Sequence, residues 1–278
     1  MSAPAYSNTL VIEAGRAERH YWLDLWRYRE LLFFLARRDI SVRYKQTAFG
    51  VAWAVVRPLA TMLVFTLVFG RIAKLPSEGV PYSLLVFSGM VPWFFFSSAL
   101  SDCSNSLVSN GHLLSKVYFP RLLIPLSAVA AALVDLAISF ALLVAMMAWL
   151  GYPPSARLIA LPLLVLLAFG AALGLGFWFS ALNVKYRDVQ FVVPFVLQFG
   201  LYASPIGFSI NVIPEHWRML YSLNPMVGVI EGFRWALLGG NFALRTDALL
   251  ISSTLTVLLL ISGVLFFRRT ERSFADVI

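Results

Sequence analysis

The chain has 278 residues, of which 60% are hydrophobic and only 13% charged, with a formal net charge of +8. Soluble domains carry about 25% charged residues, so a soluble globular protein is excluded, and with it the nucleic-acid partner that a basic soluble domain would call for. A single cysteine, Cys103, and three dispersed histidines, His20, His112 and His216, offer neither an intrachain disulfide nor a Cys/His metal cluster.

From the N-terminus, residues 1–20 are polar and lack the short apolar core of a cleavable signal, so none is expected. Within 20–39, Trp22, Leu25, Tyr28 or Arg29, Leu32 and Ala36 recur at spacings of three and four, while Asp24, Arg27 and Arg38 lie mostly off that stripe. Trp and Tyr beside Arg is the composition of a helix lying in the headgroup plane. An amphipathic interface helix is predicted here, with packing on a partner protein as the alternative. Residues 1–45 are then a cytoplasmic segment and residues 46–278 a membrane domain.

A helix needs roughly 20 apolar residues to cross a bilayer. Six stretches qualify as predicted spans: 50–70, 82–101, 122–150, 158–182, 189–210 and 247–267. Residues 102–121 are too polar to span and predict a short helix stopped by Pro120, either a connector or a docking element. Residues 211–246 hold two apolar pieces separated by Asn224-Pro225, a turn signal, each too short to cross. A half-inserted hairpin fits, because irregular backbone at membrane depth is tolerated only inside protein or along a watery cavity. With the N-terminus inside, the cytoplasmic segments hold fifteen Lys and Arg and the other side six. The excess of basic residues inside makes both termini cytoplasmic.

Two charges interrupt the spans. Arg57 lies in the first, directly before Pro58, and Asp135 sits midway along the third. At 1.5 Å per residue they are about 11 and about 20 Å from the inner surface, a difference an Arg side chain can bridge. Each alone costs at least ~2.5 kcal/mol at a helix centre. An Arg57–Asp135 pair is therefore predicted, with snorkelling of Arg57 to the interface as the alternative. Aromatic residues are dense, with 23 Phe, and Phe191, Phe195, Phe199 and Tyr202 share one helix face. Such a ladder either packs against lipid and neighbours or lines a channel, where aromatic planes suit the C–H faces of sugar rings. No Gly-x-x-x-x-Gly-Lys-Ser/Thr loop and no His-Glu-x-x-His motif occurs. The chain reads as a pathway whose driving energy comes from elsewhere.

Several segments in order, RDISVRYKQTAFGVAWAVVRPL (38–59), FSGMVPWFFFSSAL (87–100), NSLVSNGHLLSKVYFPRLLIPL (105–126), NVKYRDVQ (183–190), SPIGFSINVIP (204–214) and NPMVGVIEGFR (224–234), carry a resemblance. Together they resemble the membrane permease of ATP-binding-cassette polysaccharide exporters, which move O-antigen, capsule and teichoic-acid chains, over most of residues 37–240. The resemblance implies an all-α polytopic membrane protein with six transmembrane helices, an N-terminal interface helix, a cytoplasmic coupling helix and a short outer re-entrant hairpin. It implies a homodimer in a bacterial inner membrane, joined to two separate ATP-hydrolysing subunits that hold the ATP and Mg. This chain is then a transport subunit rather than an enzyme, and its cargo is polysaccharide linked to undecaprenyl pyrophosphate.

Roles in coupling and gating follow from the same resemblance. Asn110, Leu113, Lys116, Tyr118 and Arg121 fall in the coupling segment, and Asn224, Pro225, Glu231 and Arg234 in the outer gate. Trp53, Phe65, Phe195, Phe199 and Tyr202 are candidates for sugar contact, and Arg38, Arg43 and Lys45 for a basic collar that attracts an anionic lipid headgroup. Two places depart from the family pattern: Thr47 and Ala48 replace a common Ser and a larger apolar residue, and Arg57 stands at a usually uncharged or amide position. An exporter of drugs or lipids with the same architecture is the nearest alternative.

Overall fold

The structure is a computed structural model that describes residues 21–45, 50–114, 119–153, 155–240, 242–271 and 274, and every regular element among the described residues is helical. Two helices, α1 (Tyr21–Arg27) and α2 (Arg29–Lys45), precede the first apolar run. That run forms α3 (Gly50–Phe65), which widens into a π-helical stretch over Thr66–Ile72. Then come α4 (Tyr82–Ser109), the single turn α5 (Gly111–Leu114), α6 (Leu123–Trp149), α7 (Leu161–Lys185) and α8 (Val189–Ala203). Two shorter helices, α9 (Glu215–Tyr221) and α10 (Pro225–Leu238), lead to α11 (Thr246–Thr270). Among the described residues, five stretches are long and apolar enough to cross a bilayer: Ala52–Ile72, Tyr82–Ser109, Leu123–Trp149, Ala156–Lys185 and Thr246–Thr270.

Three expectations change at this level. The predicted fifth span, 189–210, is helical only as far as Ala203. Ser204 is held extended before Pro205, where the proline ring disfavours helix for the preceding residue. The fifteen residues of α8 rise about 23 Å, less than the ~30 Å hydrocarbon core. The irregular continuation is buried, and Arg234 takes up the carbonyls of Ile206 and Phe208, as backbone at that depth requires.

Next, α4 does not stop near residue 101 but runs on to Ser109. Its polar extension satisfies itself: the hydroxyls of Ser104 and Ser106 donate to the carbonyls of Ser101 and Cys103, and the amides of Asn105 and Asn110 to those of Ser101 and Ser106. Asn183 on α7 donates to the Ser104 carbonyl and to Asn105. Polar side chains that close their own bonds remain compatible with a buried helix.

The interface segment also differs in detail. Tyr21 and Leu35 are buried and Leu25, Tyr28 and Leu32 pack against the core, whereas Trp22, Trp26, Phe33 and Phe34 are exposed. Apolar side chains thus point both ways, with an aromatic row left on the outer side.

The bundle is organised around α4, which packs against α6, α7, α8 and α10, with α11 behind α7. Backbones approach closely where α7 meets α11: a Cβ on Gly263 would lie 2.3 Å from the Gly174 carbonyl oxygen. Small residues allow such helices to touch in lipid, where no hydrophobic effect drives them together.

Candidate functional site

Between α3, α4, α6 and α8 lies a cavity of about 710 Å³, within the ~300–1,000 Å³ usual for ligand sites. The α3 wall presents Trp53, Arg57 and Pro58. On α4, Trp93, Phe94, Ser97, Ser98, Ser101 and Asp102 line it at helical spacing, so two aromatic rings sit above a ladder of hydroxyls. Asp135 and Ser139 contribute from α6, and Pro194, Leu197, Gln198 and Leu201 from α8. The helix α8 is seated here because Gly200 leaves room for the Trp93 indole, whose nearest atom would be 2.5 Å from an added Cβ.

Arg43 and Tyr44 close one end. On α2, Leu32, Leu35, Asp39 and Arg43 follow spacings of three, four and four, which turns Arg43 toward the bundle with the packed leucines. Its guanidinium bridges two helices: Nη1 lies 2.5 Å from Asp135 Oδ2, Nη2 bonds Asp102, and Ser98 Oγ is 3.4 Å from Nη1. The Tyr44 hydroxyl donates to the other Asp135 oxygen. Charge-assisted forks of this kind are the stronger class of hydrogen bond.

The predicted Arg57–Asp135 pair is therefore corrected. The ion-pair partner of Asp135 is Arg43, brought to it because α2 packs along α6. Arg57 lines the same cavity but makes no ion pair among the described residues; its guanidinium lies over the Phe94 ring, 5.8 Å from the centroid. Thr61 bonds the Arg57 carbonyl, not its side chain.

The remaining sequence-predicted residues scatter. Of the five channel candidates only Trp53 lines the cavity. Phe65 is buried and stacks on Tyr202, with centroids 5.9 Å apart, while Phe195 and Phe199 pair with each other on an exposed face of α8. In the basic collar, Arg43 is engaged as described, Arg38 bonds Asp39 and Asn110, and Lys45 is exposed at the end of α2.

Of the coupling set, Asn110 thus receives Arg38 and Leu113 packs on the core. Arg121 donates to the Glu271 carbonyl and lies 5.8 Å from the Phe274 ring centroid. Lys116 and Tyr118 lie outside the described residues. The Tyr21 hydroxyl bonds Glu271, joining α1 to the end of α11, and burial pushes the Glu271 carboxyl above its usual range.

In the gate set, Asn224 accepts from the Met226 amide as the N-cap of α10, with Pro225 in the first turn. Glu231 and Arg234 form a buried ion pair, N to O 3.0 Å, and Arg234 also donates to the carbonyls of Phe208, Ile206 and Leu85. The polar wall was missed from sequence. Its signal was present in FSSALSD: Ser97, Ser98, Ser101 and Asp102 share one face of a membrane helix.

Comparison with known proteins agrees with this architecture. The chain is 26% identical over 257 residues to the O-antigen export system permease protein RfbA of Myxococcus xanthus, covering 92% of this chain and 98% of that protein. It is 26% identical over 250 residues to the protein of that name from Klebsiella pneumoniae, covering 90% and 95%. Likeness to the polysialic acid transport protein KpsM of Escherichia coli is 25% over 240 residues, covering 85% and 92%. Residues 30–238 match the ABC-2 type transporter family, and the chain belongs to it.

Proposed function

We propose that this chain is the membrane permease of an ATP-driven exporter of O-antigen-like or capsule-like polysaccharide. The observation that carries the reading is the cavity itself. Aromatic planes at Trp53, Trp93 and Phe94 face hydroxyls, an amide and carboxylates. That combination stacks on sugar rings and exchanges hydrogen bonds with their hydroxyls without fixing one register. Relatives that align along nearly their whole length and are named for O-antigen and polysialic acid transport support the same cargo class.

In this reading the chain sits in a bacterial inner membrane with both termini cytoplasmic, and α8 with its buried continuation completes a sixth crossing. Two copies form the channel, with the exposed aromatic face of α8 turned toward its lumen. Two separate ATPase subunits, holding ATP and Mg, dock on the segment between α4 and α6, where Lys116 and Tyr118 lie. The cargo is a polysaccharide on undecaprenyl pyrophosphate.

Purification of the tagged chain from its native membranes, with identification of the ATPase and glycolipid that accompany it, tests the reading. Depletion of the chain should remove surface polysaccharide and leave lipid-linked chains inside. Normal surface polysaccharide after depletion, or co-purification without any ATPase, overturns it.

A further inference from the structure

Three of the four charged groups that line the cavity are committed to one another. Arg43 is held between Asp102 and Asp135. Asp135 is further engaged by Tyr44. Arg57 stands apart from this cluster, exposed, with no hydrogen bond or ion pair from its side chain among the described residues. An isolated Arg at membrane depth is expensive, and its planar fork of five N–H donors meets no acceptor among the described residues.

Its surroundings are unequal on the two sides. Toward the bundle is the polar, aromatic cavity. Along α3 and into the π-helical stretch, Trp53, Val56, Ala60, Leu63 and Leu67 are exposed at spacings of three and four, an apolar stripe. Arg57 marks the border between them. The electrostatics add a direction: within the cavity lining, one arginine is set between two carboxylates at the α2–α4–α6 corner, while the α3 wall carries a single positive charge. An anion entering here is drawn to α3 and kept from the corner.

We propose that Arg57 is the anion-binding residue of this permease and holds the diphosphate of a polyprenyl-diphosphate-linked glycan, with the first sugars in the cavity and the lipid along the exposed stripe of α3. The three parts of such a molecule, apolar tail, doubly charged link and polar sugar, match the three environments in order. Arg38 and Arg43, engaged with acidic partners, are excluded from that role. The proposal rests on the polysaccharide reading above and narrows it to one residue and one chemical group.

Its test is binding of three probes to the permease–ATPase complex in nanodiscs: a polyprenyl diphosphate disaccharide, the corresponding polyprenol-linked disaccharide without phosphate, and a soluble acidic oligosaccharide. Loss of a charge-assisted hydrogen bond costs ~1.5–3 kcal/mol, so Arg57→Gln should weaken the diphosphate probe tenfold to a hundredfold. Arg57→Lys, a point charge without the fork, should recover part of that loss, and the phosphate-free probe should bind the wild type and Arg57→Gln alike. Because the side chain is exposed, both variants should assemble as the wild type does. Equal binding of the diphosphate probe to Arg57→Gln overturns the assignment and leaves the polysaccharide reading standing. Selective loss of the acidic oligosaccharide overturns it too, placing the anion on the glycan. A wild-type complex that binds none of the three sinks both readings.

Discussion

The first two membrane stretches, Ala52–Ile72 and Tyr82–Ser109, have nearly equal mean hydropathy, 1.8 and 1.6, yet 17% of the most apolar window of one is buried and 78% of the other. Hydropathy selects what enters the bilayer and is silent about what lies at the centre of the bundle. The difference is in the small and polar residues. Gly89, Ser88, Ser104 and Ser106 let α4 approach its neighbours and close its hydroxyls on its own carbonyls. In α3, large side chains such as Trp53, Leu63 and Val64 point outward. α4 is thus framework, while α3 and the thinly attached α8 form the side open to cargo, lipid or a second copy.

On that division, substitutions in the framework should cost stability and those on the open side should cost transport. The largest stability loss is expected at Arg234, which is wholly buried and bonds three carbonyls besides Glu231. Arg234→Leu leaves an uncompensated buried carboxylate and should cost about 3–5 kcal/mol, read as a lower Tm in detergent and poor membrane yield. A normal Tm would mean that α10 is not pinned to α4.

Gly263→Leu should come next. Its side chain would meet the Gly174 backbone, and overpacking of this kind costs about 1–3 kcal/mol, again measured as Tm. The half-buried Arg43 clasp is weaker: Arg43→Gln strands two carboxylates whose corner is partly open, for about 1–3 kcal/mol. Adding Asp135→Asn should restore some of the lost Tm, as coupled neighbours do; strictly additive losses would argue that the two side chains act independently.

The sequence made the five long spans legible because twenty-residue apolar runs have few other uses. It also marked Asn224-Pro225 as the break between two short apolar pieces, where the structure starts α10. It was less informative where the deciding contact was distant in the chain. Arg57 and Asp135 looked like the natural pair because both interrupt spans, but Arg43, on a helix outside the predicted membrane runs, reaches Asp135 by lying along α6. The length of α4 was hidden for another reason: serine and asparagine lower hydropathy whether or not they bond their own backbone. The cavity combines one wall from each of four helices, and no single stretch announces such a meeting.

The smallest stability effect, and the most pointed comparison with α4, belongs to Phe195 and Phe199. Both rings are exposed on α8 and touch chiefly each other, at 4.7 Å between centroids. Truncating an exposed side chain leaves no cavity and removes little packing, so Phe195→Ala and Phe199→Ala should each lie within about 0.5 kcal/mol of wild type. Tyr202 is a poorer probe because its ring stacks on Phe65 and its loss would loosen the contact between α3 and α8. In a depleted strain, the double Phe variant should assemble with its ATPase at normal level while surface polysaccharide falls severalfold. Full export at normal assembly would place this face against lipid. Loss of assembly together with export would instead make it the contact between two copies, so the ratio of export to assembled complex decides what the open side of α8 meets.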